Sequence, residues 1–125
     1  MKCLIILTIF SILLSSYMCW AETFTTQASW YSRESCLKES GQYVMGNGKE
    51  LRDEDYTCAI WGYKFDTILK VTNIENGLSV KVKVTDRGPA ERLVKKGRRI
   101  DLSYAAMRRL DGIKQGVISV KVEVL

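Results

Sequence analysis

The 125 residues contain no histidine. Its absence excludes Ser-His-Asp and Cys-His catalytic arrangements and removes the commonest metal ligand. Proton transfer near neutral pH must then come from carboxylates, Lys, Tyr or Arg. Internal repeats, low-complexity tracts and linkers are also missing, and the length fits one domain. At 46% hydrophobic and 26% charged residues, the composition excludes a disordered chain. Charge is absent from one long stretch: after Lys2, "CLIILTIFSILLSSYMCWA" carries none. A basic start, an apolar core and a small residue at Ala21 read as a secretory signal over residues 1–21. An uncleaved membrane anchor is the alternative, because the core approaches bilayer-spanning length. Lipid attachment at Cys19 is disfavoured by the bulky Tyr17 and Met18 before it. The chain is therefore expected to be exported, periplasmic or secreted, with no stable membrane insertion once the signal is cleaved.

Cysteine is scarce in the remainder. Cys3 and Cys19 leave with the signal, and Cys36 and Cys58 stay as an even pair in an oxidising compartment. A Cys36–Cys58 disulfide is expected. Two sulfurs without histidine do not make a zinc site, so neither a metal nor any other cofactor is expected. Loss of Lys2 lowers the net charge from +5 to +4. A basic surface favours anionic partners such as a wall polymer or anionic lipid, and export sets nucleic acid aside. Lys95, Lys96, Arg98 and Arg99 are either a wall-polymer site or a solvated basic loop.

Periodicity makes the part from residue 22 onward mostly β. "TFTTQASWY" (Thr23–Tyr31) alternates as a strand. "SRESCLKESGQYVMGNGKELRDEDY" reads as loop with short structure. "TILKVTNI" (Thr67–Ile74) places Leu69, Val71 and Asn73 on one face. "LSVKVKVTD" places Val80, Val82 and Val84 inward and Lys81, Lys83 and Thr85 outward. Asn76-Gly77 between them is a tight-turn signal, so Thr67–Asp86 is a hairpin. Ser103 can cap a short helix over "YAAMRRLDG", with Gly112 at its end. "GVISVKVEVL" closes the chain as a strand with one buried face. Five or six short strands in about 100 residues are best buried as a small closed barrel, which leaves no edges; a sandwich is the alternative.

One stretch stands out within this pattern. In "VKVTDRGPAERLV" (Val82–Val94) an alternating strand ends on two opposite charges, Asp86 and Arg87, followed by Gly88-Pro89. This is either a capped strand end or a carboxyl held rigidly for chemistry. Adjacent strand residues face opposite sides, which directs Arg87 away from Asp86.

The segments "ASWY" (Ala28–Tyr31), "NG" (Asn47-Gly48), "LKVTNIENGLSVKVKVTDRGP" (Leu69–Pro89), "RIDLSYAA" (Arg99–Ala106) and "VKVEVL" together resemble the rare lipoprotein A (RlpA)-like family. Its members are bacterial double-psi β-barrels related to the catalytic-type domain of expansins. The resemblance implies a six-stranded double-psi β-barrel over residues 22–125 with one or two short helices. It implies a peptidoglycan-active protein, an endolytic lytic transglycosylase that cleaves glycan strands to 1,6-anhydromuramyl ends, with Asp86 as general acid/base. Glu50, Asp101 and Tyr31 are supporting candidates in the groove. Trp30, Arg87 and Trp61 are candidates for substrate contact, and the protein is expected to act as a monomer. Active members carry a histidine where this chain has Ile60, and often an acid directly after "NG", where this chain has Lys49 followed by Glu50. Those departures keep a second reading open, a non-catalytic expansin-like module that grips or loosens wall glycan. A secreted signal or effector barrel is a third.

Overall fold

The computed structural model describes residues 22–125. The expected signal segment, with Cys3 and Cys19, lies outside them. Six strands form a closed barrel: β1 (Thr23–Tyr31), β2 (Thr57–Ile60), β3 (Ile68–Asn73), β4 (Ser79–Asp86), β5 (Arg98–Ser103) and β6 (Ile118–Val124), in the spatial order β1-β5-β2-β4-β3-β6. The β1–β5 and β2–β4 pairs are parallel and the rest antiparallel. Three short helices decorate this barrel: α1 (Arg33–Ser40), α2 (Glu91–Lys95) and α3 (Tyr104–Arg109). None of the described helices is long and apolar enough to cross a membrane.

The hairpin forms as its alternation dictates. Leu69 and Val71 point inward from β3 and Val80, Val82 and Val84 from β4, all within one core. Its turn is longer than expected. Only Gly77 takes positive φ, and the Asn76 side chain instead accepts from the Leu78 amide and donates to the Leu110 carbonyl. β6 adds Ile118, Val120 and Val122 to the same core. Ser103 caps α3 by accepting from the Ala106 amide, and Ala106, Met107 and Leu110 plug one end of the barrel. Asp111, not Gly112, takes the left-handed conformation after this helix. Gly112 is required for space, since a Cβ there would sit 2.5 Å from Met107 Sδ.

Two elements were not specified by the sequence pattern. The polar segment after β1 holds α1, whose capping box pairs Ser32 with Ser35 and whose end falls at left-handed Gly41. "TCAI" forms β2, in which all four residues are buried. The expected Cys36–Cys58 disulfide is not formed, and both cysteines are free. Cys58 is in the barrel core, paired across strands with Val84 and Leu102. Cys36 is on α1, a surface helix that buries no residue. The barrel wall therefore separates the two thiols.

Candidate active site

The register of four neighbouring strands assembles the site. Ser29 on β1 is opposite Asp101 on β5, Asp101 is opposite Ala59 on β2, and Ala59 is opposite Asp86 on β4. Opposed residues share a face of the sheet, so these four form one row. Ala59 is outside the packed core cluster that holds its neighbours Cys58 and Ile60, which puts the row on the outer face. Strict alternation would have turned Asp86 inward after Val84. A register shift prevents this: Cys58 pairs with Val84, and the next residue, Ala59, pairs with Asp86. Thr85 is the extra residue of a β-bulge, a device that re-aims side chains at strand ends. The sequence pattern placed Thr85 outward, and it does line a surface cavity beside Lys83, but the docked loop leaves it buried.

Asp86 is held by backbone. Its Oδ1 accepts from the amides of Gly46 at 2.9 Å and Arg87 at 2.8 Å. The Asn47 amide donates to the Thr85 carbonyl at 3.0 Å, which pins the same loop to the strand end. Gly46 is close enough that a Cβ there would lie 2.7 Å from Asp86 Oδ1. Among the described residues Asp86 forms no ion pair. The Arg87 guanidinium lies 4.0 Å over the Phe65 ring, and its Nη1 donates to the Ile60 carbonyl.

Asp101 accepts a hydrogen bond from the Ser29 hydroxyl. Burial pushes its carboxyl above the ordinary value. The Ser29 hydrogen bond and the charge of Arg98 oppose that shift, and the charges of Glu39 and Asp86 add to it. The Asp86 charge thus reaches Asp101, with only the Ala59 methyl between them in the row. A Cβ on Gly88 would lie 3.7 Å from the Ala59 methyl and 3.9 Å from Asp101 Oδ2, so the "DRGP" loop packs against this row. Helix α1 adds negative charge nearby: Glu39 acts on Asp101, and the Cys36 thiol is raised first by its own burial and next by Asp86.

The other candidates are spread around this row. The Tyr31 hydroxyl is 2.8 Å from Thr57 Oγ1, and burial pushes its phenol well above the usual range, so it stays protonated at any working pH. Glu50 is exposed and pairs with Arg33 at 2.8 Å. Trp30, the residue after Ser29 on β1, faces the other side of the sheet, where it packs against the core and edge-on against Tyr104 with ring centroids 5.5 Å apart, away from the row. Trp61 presents an exposed ring while its Nε1 donates to the Pro89 carbonyl at 2.8 Å, bracing the "DRGP" loop. Ile60 is fully buried in the core. No cluster of metal-ligating side chains occurs among the described residues. Sequence reasoning missed Ser29, Gly46 and Ala59. The outward parity of Ser29 within "ASWY" was the available signal for the first; the other two depend on cross-strand register and loop docking.

Comparison with known proteins fits this geometry. The lytic transglycolase family profile matches residues 23–122. A protein named endolytic peptidoglycan transglycosylase RlpA from Helicobacter pylori is 36% identical over 106 residues, covering 83% of this chain and 30% of its own length. Its namesake from Vibrio cholerae is 35% identical over 103 residues, covering 82% of this chain and 36% of its own. The chain thus spans well under half the length of these relatives. Among solved structures, the expansin of Clavibacter michiganensis superposes with a TM-score of 0.60 at 22% identity, covering 83% of this chain and 50% of that one. That likeness concerns the fold, a double-psi β-barrel. The chain belongs to the RlpA-like lytic transglycolase family.

Proposed function

We propose that this chain is an exported, peptidoglycan-active endolytic transglycosylase that cleaves glycan strands with Asp86 as general acid/base. The observation that carries this reading is the outward row Asp86–Ala59–Asp101–Ser29, with Asp86 free of any ion pair among the described residues. The relatives named for peptidoglycan transglycosylase activity supply the substrate class and a periplasmic or extracellular location.

The chemistry follows from the leaving group. A glycosidic oxygen departs poorly unless protonated, and hydrolases divide the work between two carboxyls, one of which directs water or attacks carbon. A lytic transglycosylase uses the 6-hydroxyl of the sugar as nucleophile. Asp86 donates its proton to the glycosidic oxygen as the C–O bond breaks. The 6-hydroxyl oxygen then bonds to the anomeric carbon and gives its proton to the Asp86 carboxylate, which restores the acid and leaves a 1,6-anhydromuramyl end. The Gly46 and Arg87 amides fix Oδ1, leaving Oδ2 without a hydrogen bond among the described residues. The small Ala59 side chain between the two carboxyls leaves them on one face of the sheet, where a single sugar can meet both. Asp101, oriented by Ser29, is a positioning residue for this proton traffic.

A second reading, an expansin-like module that grips glycan without cutting it, is favoured by Ile60. This core side chain leaves no polar partner at the position where the family's active members carry histidine. Incubating the protein with purified sacculi, followed by mass spectrometry of the soluble products, separates the two. Release of 1,6-anhydromuramyl fragments, lowered roughly 10²–10⁴-fold by Asp86→Asn, supports the enzyme. Co-sedimentation with sacculi without any release supports the binder.

A further inference from the structure

The outer face of β3 and β4 is chemically unlike the carboxylate row. Lys70 and Lys81 are directly opposed across these strands. Lys83 is the next outward residue on β4. Like charges in this relation destabilise a sheet. Lysines often guard sheet edges against association, but both strands are interior members of a closed barrel and have no edge to guard. Glu123 is opposite Lys70 on the other side, yet its carboxylate is paired with Lys121 at 3.2 Å. Among the described residues, Lys70, Lys81, Lys83 and Arg109 form no ion pair.

The cluster is also concave. A cavity of ≈ 390 Å³ is lined by Tyr56, Lys70, Ser79, Val80, Lys81 and Arg109, with no acidic residue in its wall. The adjoining cavity of ≈ 560 Å³, which shares Tyr56, mixes Lys49, Arg52 and Lys83 with Glu50, Asp55 and Asp66. A third cavity, which shares Tyr56 and Arg109, has Asp53 and Glu54 in its wall beside Arg108. Of these three cavities only the first is free of acidic residues, and it gathers Lys70, Lys81 and Arg109. Its lining suits carboxylates: Arg109 offers a fork of N–H donors, and Tyr56 and Ser79 offer hydroxyls. Lys81 and Lys83, the latter at the border with the mixed cavity, recur at roughly 6.8 Å along the strand, the interval at which alternate side chains recur along any extended peptide.

We propose that the β3–β4 face, ending at Arg109 and Tyr56, is a second binding surface whose ligand is an extended acidic peptide with carboxylates on alternate residues. This goes beyond glycan cleavage and does not depend on it.

Fluorescence anisotropy of a labelled poly-glutamate peptide, titrated with the purified protein at low salt, tests the assignment. Binding is expected, and the double substitution Lys70→Gln/Lys81→Gln should weaken it about tenfold. Lys95→Gln/Lys96→Gln, in the other basic segment, should change it about twofold or less. Far-UV circular dichroism checks that both variants keep the barrel, since all four side chains lie on its exterior. Absence of binding, or an equal loss in both variants, overturns the proposal. Tighter binding of polyphosphate than of poly-glutamate also overturns it, because the face would then read phosphate rather than a carboxylate-bearing peptide.

Discussion

Strand β4 carries two surfaces of opposite character. Its first six residues alternate without interruption, Val80, Val82 and Val84 inward and Lys81 and Lys83 outward, and their outer face is cationic. Its last two residues break the alternation at a bulge and deliver a carboxyl to the same exterior. The cationic part is built from long side chains in solvent, with no hydrogen bonds fixing the lysines among the described residues. The acidic part is held by two backbone amides, a docked loop and a neighbouring strand. A surface that attracts charge tolerates mobile groups, whereas one that transfers a proton needs a group fixed within tenths of an ångström. That difference makes the acidic end sensitive to small changes that the lysine face should ignore.

Gly46→Ala is the sharpest way to break this contrast. Gly46 has no positive φ, so alanine meets no left-handed strain there. The added methyl would sit 2.7 Å from Asp86 Oδ1, and either the loop or the carboxyl must move. A displacement near 1 Å can cost about 10²-fold in rate, so glycan cleavage should fall by that order while poly-glutamate affinity stays unchanged. Rates of anhydro-end release, compared with anisotropy on the same preparation, check both halves. Unchanged cleavage would remove Gly46 from the site.

How much of this was legible beforehand follows from burial. The β3–β4 hairpin and β6 could be read because one face of each is covered and the other wet, which writes alternation into the sequence. β2 could not: Thr57, Cys58, Ala59 and Ile60 are all buried, so no alternation remains. Helix α1 buries none of its residues and therefore has no apolar stripe; Ser32, Ser35 and Gly41 were its only marks. The disulfide expectation treated Cys36 and Cys58 as a count, whereas their placement depends on which side of the barrel wall each strand or helix presents. Asp86 was legible as a charged strand end and through the family resemblance. Its orientation rests on the extra residue Thr85, which by composition looks like one more outward position.

Asp101 gives an effect of intermediate size, and its sign is fixed. Burial raises its carboxyl above the ordinary value of 3.8, so between 3.8 and the raised value the folded state binds more protons than the unfolded one. Stability must therefore fall as pH rises through that window and stay lower above it. An amide at this position would have no proton to lose. In Asp101→Asn that downward step should vanish, leaving a flatter curve of urea midpoint against pH and a protein at least as stable as the parent near neutrality. The Ser29 hydroxyl can still donate to the amide oxygen, so orientation is kept. A variant whose midpoint falls with pH as steeply as the parent's would place the step elsewhere.

The smallest effect belongs to the lysine face, and its sign is unusual. Most substitutions destabilise, yet removing one member of an opposed like-charge pair should stabilise. Lys70→Gln removes the like charge directly opposite Lys81, and with Glu123 already paired to Lys121 the gain should be about 0.2–1 kcal/mol at low salt. Screening shortens the reach of charge as ionic strength rises, so parent and variant midpoints should converge in high salt. Denaturant titrations at two salt concentrations measure this directly. Convergence would show that the barrel carries a repulsion it could lose by one substitution, which is what a surface shaped for an anionic ligand requires. A variant no more stable than the parent at low salt would mean that the two ammonium groups already avoid each other in solvent, and the proposed peptide site would then rest on the Arg109 cavity alone.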